Sequence, residues 1–193
     1  MKRRVVLLVS LFVAIVVSAQ SVGQKWLADA RKGNVRAMVQ TGKSYYTGTN
    51  GLPQNKTKAL YWFEKAANAG NTEAMLMVAQ FPGVNGWTEF NEKRKNSQYL
   101  KWAEKAAAKG SAEGQMITIS NYQSLADWSI ENNSKRMYLS QCIYWCELLI
   151  KNTDMPTDYR YKDMTLDERN EMYTKKLLLF RSQIERIDKQ QNQ

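Results

Sequence analysis

Carboxylates and thiols are the side chains of this sequence that could carry out chemistry, because its 193 residues include no histidine. The lack of histidine excludes Ser-His-Asp triads, Cys-His dyads and histidine metal sites. Glu64, Glu104 and Glu147 occupy equivalent positions of a repeated pattern. Two carboxylates that flank one bond can hydrolyse a glycan. Charges that recur with a repeat usually pair with a neighbouring turn or face solvent, so we predict no catalytic residue.

The two cysteines, Cys142 and Cys146, are four positions apart and would lie on one face of a helix. Their Cα atoms would be about 6 Å apart, which a disulfide tolerates. They also align with Ala59 and Phe63, which we expect to point inward, so the sequence favours two buried thiols and leaves their redox state open. The sequence has neither a zinc-ligand cluster nor a glycine-rich phosphate loop, so we predict no metal and no cofactor.

A helical segment with a tryptophan near its start is repeated in the chain. Residues 60–70 return as residues 100–110, so that Trp62 and Trp102 are 40 positions apart. Self-similarity with a period of 20–50 residues indicates stacked structural repeats. Apolar residues follow a spacing of about 3.6 within each copy, which predicts a helix with one broad apolar side.

The residues after each closing glycine also repeat. Glycine closes a helix easily because it adopts the left-handed conformation at little cost, and Asn or Ser then caps the next helix. This pattern predicts three helix starts, at Gly33-Asn34, Gly70-Asn71 and Gly110-Ser111.

These motifs resemble the Sel-1-like repeat, a relative of the tetratricopeptide repeat, in which a helix A and a helix B form one unit. The helix-A pattern matches Ala37, Gly42, Tyr45 and Gly48, and the helix-B pattern matches Lys58-Ala59, Trp62, Lys65-Ala66-Ala67 and Gly70. The resemblance implies an all-α fold, a short right-handed α-solenoid of about three helix-turn-helix repeats. An N-terminal half-repeat and a C-terminal capping helix would complete it.

Copies two and three depart from the pattern. Pro82-Gly83 falls where copy one has its tyrosines, so helix A of copy two must end early. In copy three Trp145 follows Trp102 by 43 positions, and no glycine closes the helix.

The N-terminus has the features of a secretory signal peptide. Basic residues at positions 2–4 precede the apolar stretch Val5–Val17, and Ala19 provides a cleavage site. The apolar stretch is shorter than the ~20 residues that span a bilayer, so we expect no membrane insertion after cleavage. The chain would then be secreted, to the periplasm or outside the cell. The expected domains are the signal peptide 1–19, the half-repeat cap 20–33, the repeat array 34–151, and a loop with a capping helix 152–193.

The basic charge of the chain does not indicate nucleic acid as a partner. The formal charge of +10 would fall to +7 after cleavage, because 25 basic and 18 acidic residues would remain. Apart from residues 93–95, the basic residues are scattered, and nucleic acid is a poor candidate outside the cytoplasm. We therefore interpret the charge as solvated surface.

A capping box, Thr165 with Glu168, predicts a C-terminal helix. Its apolar stripe consists of Tyr173, Leu177, Phe180, Ile184 and Ile187. The stripe would seal the end of the repeat array, and a coiled-coil dimer through the same stripe is the alternative. With the cap, the chain would be a monomer.

The resemblance implies a scaffold that binds a protein or peptide through the concave face of its repeats. Positions 7, 10, 11 and 14 after each glycine point to that face if positions 4, 5, 8, 9 and 12 pack inward. The candidate residues are Gln40, Lys43, Ser44, Thr47, Met77, Gln80, Phe81, Ile117 and Asn121. Trp87 and Phe90, in the insertion 82–96, are further candidate contacts. The alternatives are an envelope enzyme that acts on glycan or peptide with carboxylates, and an envelope inhibitor or structural component.

Overall fold

The computed structural model describes residues 22–81, 98–156, 161 and 163–191. Within these residues the chain forms eight α-helices and no strand, which confirms the predicted all-α class. The signal peptide 1–19 and the whole insertion 82–96 lie outside the described residues. The helices are α1 (22–31), α2 (Val35–Thr47), α3 (Lys56–Asn68), α4 (Thr72–Ala79), α5 (Gln98–Ala108), α6 (Ala112–Trp128), α7 (Asn132–Lys151) and α8 (Leu166–Gln191).

The chain divides into two compact units, Met1–Val84 and Asn85–Gln193. In the first unit α2 packs on α3, and α3 packs on α4. In the second unit α5 packs on α6, α6 on α7, and α7 on α8. In each unit, neighbours in sequence are therefore neighbours in space, as in a repeat fold.

The predicted glycine turn occurs three times with the same hydrogen bond. The first follows α1, where Gly33 has φ of 96° and the Asn34 N–H donates to the Asp29 carbonyl at 3.1 Å. Gly70 and Gly110 have φ of 89° and 86°, in the left-handed region that favours glycine. After Gly70, the Asn71 N–H donates to the Ala66 carbonyl at 3.1 Å, and after Gly110 the equivalent bond from Ser111 is 3.2 Å. These bonds satisfy carbonyls that the end of a helix would otherwise leave free.

Each of these turns leads directly into the N-cap of the next helix. The Asn71 side chain accepts a hydrogen bond from the Ala74 N–H at 2.8 Å, and the Ser111 hydroxyl accepts one from the Gly114 N–H at 3.1 Å. Asn34 caps α2 in the same way, with a 2.9 Å bond from the Ala37 N–H. All three predicted N-caps are confirmed. Each such cap stabilises its helix by about 1 kcal/mol.

The helix-B residues that the repeat shares form the core. The three repeat tryptophans, Trp62, Trp102 and Trp145, are buried. The paired alanines that follow the first two, Ala66-Ala67 and Ala106-Ala107, are nearly inaccessible to solvent. The Lys105 ammonium lies 4.1 Å from the centre of the Trp102 ring, so the lysine stem covers the outer side of the indole.

Two glycines allow neighbouring helices to approach closely. A Cβ at Gly114 would lie 2.7 Å from the backbone nitrogen of Ala107 and 2.9 Å from the carbonyl carbon of Ala106. A Cβ at Gly42 would lie 2.6 Å from the buried ring of Phe63. The α5–α6 contact is thus a contact of backbone with backbone, which only a residue without a side chain permits.

Helix α4 is short, as Pro82 predicts. It ends at Ala79 after eight residues, and Phe81 turns inward immediately afterwards. The Phe81 ring makes edge contacts with Phe63, at 6.3 Å between ring centres, and with Tyr46, at 5.6 Å. These aromatic contacts fill the space that a longer helix would occupy.

The capping box of α8 is confirmed. The Thr165 N–H donates to the Glu168 carboxylate at 2.8 Å, and the Glu168 N–H donates to the Thr165 hydroxyl at 3.2 Å. These hydrogen bonds favour the ionised form and lower the pKa of Glu168. Most of the predicted stripe of α8 is buried, and Ile184 is partly buried, in one core cluster that α7 also enters. The stripe is therefore occupied within the chain and is not available for the coiled-coil alternative.

Arg169 lies next to this stripe and is fully buried, which the sequence pattern did not reveal. Its guanidinium donates to the carbonyl oxygens of Leu149, at 3.0 Å, and of Asn152 and Asp154. Burial lowers the pKa of Arg169. The partial negative charge of these carbonyls at the end of α7 compensates the buried cation.

Trp62→Ala should lower the free energy of unfolding by about 3–5 kcal/mol, because it removes a large buried ring. Urea denaturation followed by circular dichroism measures this cost. The neighbouring Tyr61 is 49% exposed, so Tyr61→Ala is a matched control that should cost much less. Equal costs for the two variants would contradict the helix-B packing described above.

Gly114→Ala should be destabilising by about 1–2 kcal/mol. The new methyl group meets the α5 backbone, which costs more than the roughly 1 kcal/mol that alanine gains over glycine in a helix. Thermal unfolding measures the difference. Ser120→Ala, on the exposed side of the same helix, is the control and should leave the melting temperature unchanged or slightly raised. A stabilised Gly114→Ala would show that α5 and α6 are not in such close contact.

Candidate functional site

The first unit presents an accessible surface where its helix-A elements, α2 and α4, meet. The Lys43 ammonium lies 2.5 Å from the Glu73 carboxylate and connects the two helices. Both side chains are about half exposed, so this ion pair contributes little to stability. Met77 lies one turn after Glu73 on the same side of α4 and is exposed. Thr47, exposed at the end of α2, lies one turn after Lys43. We call Lys43, Thr47, Glu73 and Met77 the α2–α4 surface.

Four of the five inward positions predicted for helix A are confirmed. Position 12 is buried in copy one, as Tyr45, partly buried in copy three, as Tyr122, and lies outside the described residues in copy two, as Pro82. Positions 4, 5, 8 and 9 after the glycine are buried in all three copies. They are Ala37, Met38, Thr41 and Gly42 in copy one, Ala74, Met75, Val78 and Ala79 in copy two, and Gly114, Gln115, Thr118 and Ile119 in copy three. The face opposite these residues is therefore the one that remains accessible.

Position 11 was predicted to lie on the accessible concave face, and this prediction is wrong in every copy. Ser44, Phe81 and Asn121 occupy it, and all three are buried. In α2 and α6, position 11 follows the inward position 4 by seven residues, nearly two full turns, so it lies only about 20° from it around the helix. In copy two Phe81 lies beyond the end of α4 and turns inward to contact the rings of Phe63 and Tyr46. Position 11 therefore belongs to the edge of the core and not to the accessible face.

The other predicted contacts are accessible to different degrees. Thr47 and Met77 are exposed, whereas Gln40, Lys43, Gln80 and Ile117 are partly exposed. Positions 7, 10 and 14 therefore lie on the helix-A face of the first unit. Ile117, in the second unit, is at position 7 of its own helix A. Trp87 and Phe90 lie outside the described residues. Whether any of these side chains binds a partner stays a prediction.

Glu73 and Tyr46 belong to the accessible face but were not among the predicted contacts. Tyr46 is exposed, and its ring contacts that of Phe81. Glu73 is at position 3, in the first turn, where an acidic residue is explained by the helix dipole alone. The opposite charge of Lys43 was the available signal, but only the packing of α2 beside α4 brings the two together.

The carboxylates at equivalent helix-B positions make contacts between helices. Glu104 accepts a hydrogen bond from the Tyr122 hydroxyl, so it connects α5 to α6. Glu147 accepts one from Arg181 at 2.7 Å, so it connects α7 to α8. Burial, together with the bond to Glu104, raises the pKa of Tyr122. These roles are structural, as the recurrence of the charge indicates.

Cys142 and Cys146 are free thiols, and both are buried. Cys142 donates weakly to the Ile119 carbonyl across 3.7 Å. Burial, followed by the proximity of Cys146, raises the pKa of Cys142 to about 12. Burial also raises the pKa of Cys146 to about 12. The prediction of two buried thiols that pack like small apolar residues is confirmed.

Neither a metal-binding cluster nor a membrane span occurs in the part of the chain that the structure describes. Over residues 22–81, 98–156, 161 and 163–191, no group of three or more Cys, Asp or Glu side chains could hold a metal ion. Over the same ranges, no helix combines the length and the apolar character needed to cross a bilayer.

Comparison with known proteins identifies the repeat. The family model of the Sel1 repeat matches residues 35–71 and 100–111. The chain is 43% identical over 51 residues to the ERAD-associated E3 ubiquitin-protein ligase component HRD3A of Arabidopsis thaliana. This match covers 26% of the chain and only 8% of the length of HRD3A.

Two solved structures are also similar. The crystal structure of c5321, a protective antigen present in uropathogenic Escherichia coli strains that displays an SLR fold, aligns with a TM-score of 0.48 and 18% identity. The alignment covers 87% of this chain and 40% of that one. A Sel1 repeat protein from Oxalobacter formigenes aligns with a TM-score of 0.43 and 12% identity, over 82% of this chain and 78% of that one.

The two thiols should not react with Ellman's reagent at pH 8 while the protein is folded. Thiolate is the reactive species, and the raised pKa values reduce its population at least about hundredfold below that of an ordinary thiol. Two thiols per chain should react in denaturant. The neutral thiols stabilise the fold below their ordinary pKa of 9.0, and this contribution is lost as the pH rises towards 12. Rapid reaction in the native protein would contradict the burial.

Proposed function

Because residues 35–71 and 100–111 match the Sel1 repeat, we propose that this chain is a helical-repeat scaffold that binds a protein or peptide. The α2–α4 surface is its proposed contact. The observation that carries the proposal is that an ion pair joins two helix-A elements that carry exposed, chemically mixed side chains. A surface on a packed scaffold loses little conformational entropy on binding.

The chemistry of the α2–α4 surface favours a polypeptide partner. Met77 is a flexible apolar side chain that adapts to irregular surfaces. Lys43 and Glu73 already pair with each other, so a partner with one cation and one anion could replace that pair without leaving a charge unmatched. Tyr46, at the edge, offers a ring and a hydroxyl, a combination that is enriched at protein interfaces.

The names of the similar proteins support a role in an assembly. HRD3A is, by its name, a component of a ubiquitin-protein ligase, and thus one part of a larger protein complex. A binding role requires no catalytic carboxylates. Glu104 and Glu147 are consistent with such a role, because they make contacts between helices and so do not provide a pair of catalytic carboxylates. We therefore propose that the chain has no enzymatic activity of its own.

We also propose that the protein is a monomer secreted to the periplasm or outside the cell. The proposal on location rests on the basic residues 2–4, the apolar stretch Val5–Val17 and the cleavage pattern at Ala19. The proposal on the monomer rests on α8, whose apolar stripe is occupied within the chain.

The triple variant Lys43→Ala, Thr47→Ala, Met77→Ala should lose partner binding. The purified protein would be used to retain proteins from the secreted fraction of its own cells, and the retained protein would be identified by mass spectrometry. Calorimetry should then show at least about tenfold weaker binding to the triple variant, or roughly 1.4 kcal/mol.

A matched triple variant on α8, Thr174→Ala, Lys175→Ala, Leu178→Ala, changes similar exposed side chains and should bind normally. Circular dichroism should show native helicity for both variants. Undiminished binding by the α2–α4 variant would refute the assignment of the surface, and failure to retain any protein would argue against the scaffold function.

A further inference from the structure

The turn between α6 and α7 presents two large apolar side chains to solvent. Trp128, the last residue of α6, is 66% exposed, and Ile130 is 99% exposed. Such exposure leaves both side chains without the stabilisation that burial of an apolar side chain usually provides. Neither residue has a role in the core cluster of the second unit. Packing among the described residues of the unit therefore does not explain them.

These two side chains line an open pocket of about 330 Å³. The lining residues are Leu125, Trp128, Ser129, Ile130, Glu131, Ser134 and Tyr138. Glu131 is the charged residue in this lining, and its charge is negative. Arg136 follows on α7, but its guanidinium is held by Asp188 at 2.8 Å. The pocket therefore combines two aromatic side chains, two aliphatic ones and one carboxylate.

The pocket is held in place by hydrogen bonds along a very short connection. The Ser129 N–H donates to the Ala126 carbonyl at 3.3 Å, and the Ser129 hydroxyl donates to the Glu131 carbonyl at 3.2 Å. The same Glu131 carbonyl accepts the Lys135 N–H at 2.9 Å. The Ser134 hydroxyl donates to the Glu131 carboxylate at 3.0 Å and orients it. In a preformed site of this kind, little free energy is lost to the ordering of side chains and loops when a ligand binds.

The base of the pocket is anchored in the core. Tyr138 is partly buried and packs against the core cluster of the second unit. Its ring centre lies 6.3 Å from that of Tyr122, whose hydroxyl donates to Glu104. Tyr138 is thus fixed by the core, whereas Trp128 and Ile130 are the exposed side chains of the lining.

We propose that this pocket docks a polypeptide segment that carries an arginine or lysine next to an apolar residue. The Glu131 carboxylate complements the cation, and the aromatic faces of Trp128 and Tyr138 attract it further. Ile130, the most exposed side chain of the lining, provides a contact for the apolar neighbour of the cation. A small cation would leave this side chain in water, which favours a peptide. The site lies in the second unit and does not depend on the function proposed for the α2–α4 surface.

Selection from a library of random 12-residue peptides on phage tests the proposal with a defined probe. The purified chain and its double variant Trp128→Ser, Ile130→Ser would be selected in parallel. Peptides enriched on the native chain and not on the variant should contain Arg or Lys beside Leu, Ile, Phe or Trp. Because both side chains are exposed, the variant should retain native helicity and melting temperature.

The strongest peptide would then be synthesised and its affinity measured by fluorescence anisotropy. Its dissociation constant should rise at least about tenfold for the double variant and about threefold or more for Glu131→Gln. Leu178→Ser with Leu179→Ser removes two other exposed apolar side chains, on α8, and should leave the affinity unchanged.

Three results would overturn the proposal. One is that no enriched peptide depends on Trp128 and Ile130. Another is that the peptides whose binding depends on Trp128 and Ile130 are acidic or uncharged, or bind the Glu131→Gln variant as well as they bind the native chain. The last is that free argininamide competes as strongly as the whole peptide, which would assign the pocket to small cations.

Discussion

The close approach of each helix B to the next helix A is the constraint on which the described fold depends. Ala66-Ala67 and Ala106-Ala107 make this approach possible because they are small and almost inaccessible to solvent. At Gly114 the contact is so close that even a methyl group would meet the α5 backbone. The glycine turns and their Asn or Ser caps set the angle at which the next helix leaves. The three large repeat tryptophans are buried within their own units and add to the apolar burial.

The same constraint determines which side chains a partner can reach. A helix that lies close to its neighbour buries a wide part of its circumference, so position 11 of α2 and of α6 is buried, and Phe81, beyond the end of α4, is buried as well. Ser44, for example, donates to the Gln40 carbonyl at 2.9 Å and accepts from Asn50 at 3.0 Å. On the helix-A side of the first unit, among the described residues, the accessible face is narrow, and α2 and α4 both contribute to it. Its Lys43–Glu73 pair exists only because the two helices are brought together.

The backbone carbonyls at the end of α7 find their hydrogen-bond donors in a different way from those at the ends of α3 and α5. After Ala107 and Ala67, a left-handed glycine completes the hydrogen bonds, but α7 is followed by Asn152, with extended backbone. There the buried guanidinium of Arg169, on α8, binds the Leu149, Asn152 and Asp154 carbonyls. Asn152 adds a 2.7 Å bond to the Gly110 carbonyl. Long-range side-chain contacts thus replace a local turn, at the cost of burying a charge.

Local properties were readable from the sequence by itself, namely the helix ends, the caps, the inward tryptophans and alanines, and the buried thiols. Each depends on a few neighbouring residues, such as Gly70 with Asn71 or Thr165 with Glu168, whose conformational preferences act over one turn. The tertiary structure alone decided which distant groups meet: Arg169 with the end of α7, Lys43 with Glu73, and the rings around the α6–α7 turn. The exposure of Trp128 and Ile130 was not readable from their types, since an apolar side chain next to a helix is normally expected in the core. Exposure is a property of how whole helices pack, and no short pattern of residues encodes it.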